Sequence, residues 1–482
     1  MEEFVMNIDI ASFSYHGDCL LKDLKLDVRR GEVVLLTGLS GCGKTSLLRI
    51  LSGLIPHYYD GLLKGEIKVL GRDINSFEKG ALAKHVGHVF QNPRDQFFST
   101  VAEDEVAMAG DNFGMEKTLL RRRVDNAFKT LEIEHLKRAS VFEMSGGEMQ
   151  KVAIAGTLVH DCDIILMDEP SASLDYQATA DLTRMIARLK QYGKTILIAE
   201  HRLFYLRTLF DRMVILKDGR IEQEVARADV DESILTRYQL RCLDERHMSA
   251  LRTDKPGKPL IHVENFGLYR GRRRLVEEDI SFTVAENECM GVVGENGVGK
   301  TTMVKVLSGL LRAKADRISF GKRKRERMKN AYMLMQDTDC QIFFDTVENE
   351  VLDRSRMNDP AYVKEVKRVL TASDLWKKRG EHPQELSGGE KQRLSLLVAY
   401  FQEKKIIILD EPSSGLDYRR MRFAADLIRE MNRRVPVILI THDLELLFHT
   451  ANTVLMMSET GIRKVPLQGN EARIMNFIGI DR

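Results

Sequence analysis

The stretch Gly38-Leu39-Ser40-Gly41-Cys42-Gly43-Lys44-Thr45 has the glycine, lysine and hydroxyl spacing of a loop that cradles phosphate. Glycines let successive backbone N–H groups turn toward one anion, and a helix starting at the loop's end adds the positive end of its dipole. Lys44 is then placed to reach the β- and γ-phosphates, and Thr45, with Ser46 beside it, to offer a hydroxyl to a divalent cation. The pattern returns at Gly294-Glu295-Asn296-Gly297-Val298-Gly299-Lys300-Thr301, followed by Thr302. One match is a hypothesis, but two in equivalent surroundings argue against a plain glycine-rich turn.

Other chemistry-bearing residues also come in pairs. Apolar runs over residues 164–167 and 406–409 end in Asp168-Glu169 and Asp410-Glu411. At the carboxyl edge of a parallel sheet, the first acid is suited to hold Mg2+ and the second to polarise an attacking water as a general base. Met144-Ser145-Gly146-Gly147-Glu148 returns as Leu386-Ser387-Gly388-Gly389-Glu390, Ser173-Leu174-Asp175 as Gly415-Leu416-Asp417, and His201 as His442. Repetition on this scale means two copies of one domain.

The elements that position these residues can be read around them. Each glycine loop follows a short apolar strand, at residues 33–37 and 289–293, and precedes a helical pattern, at 45–51 and 301–307. Further buried parallel strands are expected at 164–167, 195–199, 406–409 and 435–440. Each half opens with β-prone segments, at 7–15 and 24–28 and at 260–268 and 280–284, and charged helical segments near 117–138 and 361–378 suggest a separate helical lobe. The second half is shorter between its glycine loop and Ser387. Where the first half has residues 65–89, the second has the basic run 322–329, expected to be a solvated hairpin or else a docking patch. Pro and Gly around Asp254-Lys255-Pro256-Gly257-Lys258-Pro259 mark a linker, giving domains at 1–235 and 259–482 with 236–258 between them.

Composition sets limits on partners. A length of 482 residues exceeds one ordinary core, and a net charge of +2 creates no global field to attract nucleic acid or an anionic membrane. No apolar stretch approaches a membrane span, and the start of the chain lacks the pattern of a signal peptide, so a cytosolic location is expected. The six cysteines form no CxxC pair and are expected to be reduced.

Together these motifs resemble the ATP-binding-cassette (ABC) superfamily, from whose P-loop relatives the Ser-Gly-Gly-Glu sequence separates it. The resemblance implies an α/β fold with two P-loop NTPase domains. Each would have a RecA-like parallel sheet core, an antiparallel β-subdomain and a helical signature subdomain, and would use ATP and Mg2+. It implies adenine-stacking roles for Tyr15 and Tyr269, which could equally be packing residues. Gln91 and Gln336 correspond to the family's Q-loop glutamines, which together with Thr45, Asp168, Thr301 and Asp410 would meet the metal; Glu169 and Glu411 would be the bases, and His201 and His442 the γ-phosphate switches. In the family the domains pair head to tail. Ser387, Gly389 and Glu390 would complete the loop at 38–45, and Ser145, Gly147 and Glu148 the loop at 294–301, making two competent ATPase sites.

Phe90-Gln91-Asn92-Pro93-Arg94-Asp95-Gln96-Phe97-Phe98 looks like the Q-loop of energy-coupling-factor and cobalt-type importers. Gln336-Asp337-Thr338-Asp339-Cys340-Gln341-Ile342-Phe343-Phe344 keeps its Gln-x-Phe-Phe core without the Asn-Pro. That branch implies a motor on the cytoplasmic face of the cell membrane, docked on an integral scaffold subunit that works with a substrate-capturing membrane protein to import vitamins or metal ions. Asp95, Glu103, Asp104, Glu105, Asp339, Glu348 and Glu350 are expected either to form grooves for partner arginines or to be ordinary solvated acids. The competing reading is a soluble tandem ABC ATPase acting on ribosomes or nucleic acid. The lack of an iron–sulfur cysteine cluster, a zinc module and a long charged helical linker weighs against it, so no nucleic-acid partner is expected.

Overall fold

The computed structural model describes residues 4–15, 17–172, 174–250, 256–270 and 273–480. Residues 1–3, Ser173 and linker residues 251–255 lie outside the described residues, as does the side chain of Asp339. The chain divides into two compact units, Met1–Asp244 and Glu245–Arg482. The division falls inside the stretch expected to be linker, because Leu240 is buried in the first unit's core and Tyr238 and Leu243 pack against it.

In the first unit, strand Val33–Thr37 runs parallel between Thr195–Ala199 and Arg212–Lys217, with Ile164–Asp168 and Val86–Val89 beyond. Arg220–Ala226 closes the far edge antiparallel. Val33–Thr37, Ile164–Asp168 and Thr195–Ala199 are buried along their whole length, which explains why their sequences do not alternate. The hairpin of Phe4–Tyr15 and Asp18–Arg29 does alternate, and with Leu62–Val69 and Arg72–Asp73 it forms a four-stranded antiparallel sheet. Helices Ala102–Asn112, Lys117–Thr130 and Gly146–Leu158 make the helical lobe around Val106, Leu120, Val124 and Phe128.

The second unit repeats this plan. Cys289–Val293 lies between Val437–Ile440 and Thr453–Met457, followed by Ile406–Asp410 and Ala331–Leu334, with Ile462–Pro466 as the antiparallel edge. Its β-subdomain is smaller: Pro259–Phe266, Ile280–Ala285 and Arg317–Ile318, with a short Tyr269–Arg270/Arg273–Arg274 hairpin.

The basic run 322–329 is not a hairpin. Lys324–Asn330 is a helix that leads directly into strand Ala331–Leu334. Arg327 is 1% exposed and donates to the carbonyls of Val306 (2.9 Å), Leu311 (3.1 Å) and Lys322 (3.1 Å). The first two of these lie at and beyond the end of the Lys300–Leu307 helix, where carbonyls lack intrahelical partners. The expected helices at 117–138 and 361–378 are also shorter: the α-helices end at Thr130 and Ala372, and tight turns follow.

Candidate active site

Two glycines in each loop are required by space. Gly38 has φ 142°, and a Cβ there would lie 2.1 Å from the Leu216 carbonyl oxygen; at Gly43, φ 105°, it would lie 2.3 Å from Leu21 Cδ2. Gly294 and Gly299 repeat the conflict, with Met457 O at 2.3 Å and Leu268 Cδ2 at 2.6 Å. Helices Lys44–Leu51 and Lys300–Leu307 begin directly after these loops without a side-chain cap, leaving their first N–H groups for an anion. The lysines fold back into their own loops. Lys44 Nζ donates to Gly38 O (3.1 Å) and Leu39 O (3.3 Å), and Lys300 Nζ to Gly294 O (2.6 Å) and Glu295 O (3.0 Å). Both are buried, and a buried ammonium resting on neutral carbonyls is a charge matched to an incoming phosphate.

Next to each lysine stands a hydroxyl–carboxylate pair. Thr45 Oγ1 donates to Asp168 Oδ1 at 3.1 Å. Burial, then repulsion from Glu169, pushes the Asp168 carboxyl up to about 6. Burial also raises Asp410, against a hydrogen bond from Thr301. A buried carboxylate beside a hydroxyl, with its charge opposed by its surroundings, fits a bound Mg2+, which prefers oxygen donors. Thr45 and Asp168, and Thr301 and Asp410, are the residues that would hold it.

Glu169 and Glu411 share a backbone feature that sequence does not reveal. Their φ values are 44° and 53°, left-handed for a non-glycine residue, with each N–H anchored to the neighbouring strand at Ala199 O (2.8 Å) and Ile440 O (2.9 Å). Such strain costs on the order of 1 kcal/mol and persists where the surroundings enforce it. In the first unit Gln91 Nε2 donates to Glu169 Oε2 at 2.8 Å, and His201 Nε2 lies 3.3 Å from Glu169 Oε1. The same ring nitrogen is 3.3 Å from Lys44 Nζ and 3.4 Å from Ser40 Oγ. In the second unit His442 Nε2 is 3.5 Å from Glu411 Oε1, and the His442 backbone N–H donates to Glu411 Oε2 at 3.2 Å. Gln336, like Gln91, is exposed.

Ser145 and Ser387 cap helices Gly146–Leu158 and Gly388–Tyr400 through reciprocal bonds with Glu148 and Glu390. Each serine hydroxyl donates to its glutamate, at 2.8 and 2.9 Å. For Glu390, burial pushes the carboxyl up, but bonds from Ser387 and Lys378 outweigh it and hold it below the usual range. The two tyrosines differ: Tyr15 donates its hydroxyl to Ser46 Oγ at 3.2 Å with its ring edge-on to Phe13, whereas Lys314 Nζ lies 4.0 Å from the Tyr269 ring centroid.

The Q-loops hold residues whose role the sequence left unread. Gln96 accepts from Phe90 N (3.2 Å) and donates to His88 O (3.2 Å); Gln341 accepts from Met335 N (2.6 Å) and donates to Met333 O (2.8 Å). Glu105 Oε2 accepts from the backbone of Phe98 and Ser99 at 2.8 and 2.7 Å, and Glu350 Oε2 from that of Phe343 and Phe344 at 3.0 and 2.8 Å. The expected acidic grooves are therefore not rows of free carboxylates. Glu105 and Glu350 are engaged with backbone, Asp95 with Asn92, and Glu103 with Lys137. What these braces present is apolar: Phe98 is 80% exposed and Phe343 81%. Recurrence of Gln-x-Phe, at Gln96-Phe97-Phe98 and Gln341-Ile342-Phe343, and of a glutamate seven residues after the last phenylalanine of each was the available signal.

The family model described as ABC transporter matches residues 21–172 and 278–414. A Treponema denticola protein, assigned by inference as an ABC transporter ATP-binding protein, is 37% identical over 464 residues, covering 93% of this chain and 94% of its own. Bacillus subtilis YkoD, assigned by inference to HMP/thiamine import as an ATP-binding protein, is 28% identical over 497 residues, covering 95% and 90%. Among solved structures, the RNase-L inhibitor matches with a TM-score of 0.67 at 22% identity, covering 97% of this chain and 93% of its own. The archaeal ribosome recycling factor aABCE1, solved with stalk protein aP1, matches at 0.66 and 22%, covering 95% and 90%. At that identity both show the fold alone. The chain belongs to the ABC transporter family, as a tandem ATPase whose two domains use ATP with Mg2+.

Proposed function

We propose that this chain is the ATP-hydrolysing subunit of a membrane transporter, driving uptake of a vitamin or metal ion in the manner of energy-coupling-factor importers. The observation that carries this reading is the braced, exposed phenylalanine beside each Q-loop. In each unit a glutamate fixes the backbone at the exposed ring and a glutamine closes the loop that leads to it, a recurrence that suits a surface kept in shape for a partner. The fitting partner is a short amphipathic helix on the cytosolic side of an integral membrane subunit. The names of the relatives from T. denticola and B. subtilis support it. No helix among the described residues is long and apolar enough to cross a membrane, and the proposal places that crossing in separate scaffold and substrate-binding subunits.

In this reading Lys44 and Lys300 exchange their loop carbonyls for phosphate oxygens, Glu169 and Glu411 orient and deprotonate the attacking water, and His201 and His442 contact the γ-phosphate. Mg2+ supplies charge neutralisation at the phosphates when bound. The proposal includes head-to-tail pairing, with Ser387, Gly389 and Glu390 serving the loop at 38–45 and Ser145, Gly147 and Glu148 the loop at 294–301. Hydrolysis removes the shared γ-phosphate contacts and releases the closed state.

The test is co-expression with the integral membrane proteins encoded beside this chain, followed by isolation through a tag on the membrane partner. Phe98→Asp combined with Phe343→Asp is expected to lower recovery roughly tenfold or more while the melting temperature and ATPase rate of the isolated chain hold. Undiminished recovery would count against the docking role, and co-sedimentation with ribosomes instead of membranes would favour the competing reading.

A further inference from the structure

The two units secure the loop that carries the histidine with carboxylates from opposite sides of it. In the second unit Asp443 follows His442, is 8% exposed and caps helix Leu444–Thr450 by accepting from Leu446 N at 3.1 Å. Its other oxygen accepts the Ser413 hydroxyl at 2.9 Å. Ser413 comes directly after Asp410-Glu411-Pro412, so this bond ties the histidine loop to the segment that bears the acid pair.

The first unit has Arg202 at the place of Asp443, and a guanidinium cannot cap a helix N-terminus. The capped helix is missing there, and a tight turn, Phe204–Leu206, replaces it. The carboxylate comes instead from Glu200, where the second unit has Thr441. Glu200 is 1% exposed. It accepts from the Ser171 hydroxyl (2.7 Å), the Tyr205 hydroxyl (2.8 Å) and the backbone N–H groups of His201 (2.7 Å) and Arg202 (3.1 Å). Ser171 is the counterpart of Ser413, directly after Asp168-Glu169-Pro170. Arg202 adds bonds to the carbonyls of Ser171 (3.2 Å) and Leu174 (3.1 Å).

The shift changes what the acid pair must do. The His201 backbone N–H is taken by Glu200, and the Glu169 carboxylate meets Gln91 and the His201 ring. In the second unit Glu411 itself accepts the His442 backbone N–H.

We propose that Glu200 is a positioning residue of the first unit: it fixes the His201 loop to Ser171, as Asp443 fixes the His442 loop to Ser413, and leaves the Glu169 side chain to the glutamine, the histidine ring and the attacking water. A buried carboxylate with this many donors holds one arrangement of the groups around it. The proposal rests on the reading of Glu169 and His201 as hydrolytic residues.

The test is steady-state ATP hydrolysis by the full chain, resolving kcat from KM. Glu200→Thr is expected to lower kcat roughly fivefold or more, with KM for Mg-ATP within about twofold of native. Adding Arg202→Asp, which rebuilds the Thr-His-Asp order of the second unit, is expected to restore about half the native kcat or more. An unchanged kcat in Glu200→Thr, a loss confined to KM, or a double variant that melts like the native chain yet stays as slow as the single one would overturn it. If Glu200→Thr fails to fold, Glu200→Gln, which keeps the shape but is a weaker acceptor, decides by the same kcat criterion. Glu169→Gln in the same assay separates the two levels: native turnover there removes the hydrolytic assignment, whatever Glu200 does.

Discussion

Asp168 makes the site's protonation state measurable. Its carboxyl titrates at about 6 in the folded unit against 3.8 as the ordinary value, so between those pH values the native state binds the extra proton. Stability therefore falls as pH rises from about 4 to about 6 and stays lower above, by roughly 3 kcal/mol at most. Calorimetry of the Mg2+-free chain between pH 5 and about 7 should show the melting temperature falling with pH, and Asp168→Asn should flatten that change. A cation must displace the same proton, so apparent affinity for Mg-ATP should rise through about pH 6. Glu169→Gln and Glu411→Gln should each lower turnover, by about a hundredfold if the water's proton goes to the carboxylate; a single change that abolishes turnover while the other has no effect would show inequivalent sites. Lys44 and Thr45 stand out in the sequence because a phosphate loop depends on spacing within one strand–loop–helix unit, and Asp168 and Glu169 because they end a fully apolar run. Glu200 was not, because its function comes from Ser171 and Tyr205, which only the folded sheet edge brings to it.

At the scale of elements, burial decided what could be read. Strands Val33–Thr37, Thr195–Ala199 and Cys289–Val293 were found at their true bounds because both faces are covered and their composition says so. The basic run 322–329 was misread because charge in a sequence reports affinity for water and not the carbonyls an arginine can satisfy. Arg327→Ala should destabilise the second unit by about 2 to 4 kcal/mol in denaturant unfolding, since the Val306, Leu311 and Lys322 carbonyls lose their donor. The exposed Lys324→Ala should change stability by less than about 0.5 kcal/mol. The Q-loop braces make a parallel prediction. Glu105→Ala with Glu350→Ala frees the Phe98 and Phe343 segments, so recovery with membrane subunits should fall while the isolated chain keeps its ATPase rate.

For the whole molecule, duplication is what made the sequence informative: each motif in one half checks the other. It also exposes the differences, since Arg202 stands where the second unit has Asp443, and Glu200 where it has Thr441. On the proposed reading a transported substrate is not legible, because selectivity in such an assembly resides in other chains. In the proposed head-to-tail pairing each ATP is shared by one unit's glycine loop and the other unit's signature serine. A structure of the Glu169→Gln, Glu411→Gln chain bound to Mg-ATP tests it most directly. The expected result is two nucleotides, one with its γ-phosphate in hydrogen-bond reach of Lys44 and Ser387, the other of Lys300 and Ser145. Nucleotides seated on the glycine loops with both serines remote from any phosphate would contradict it.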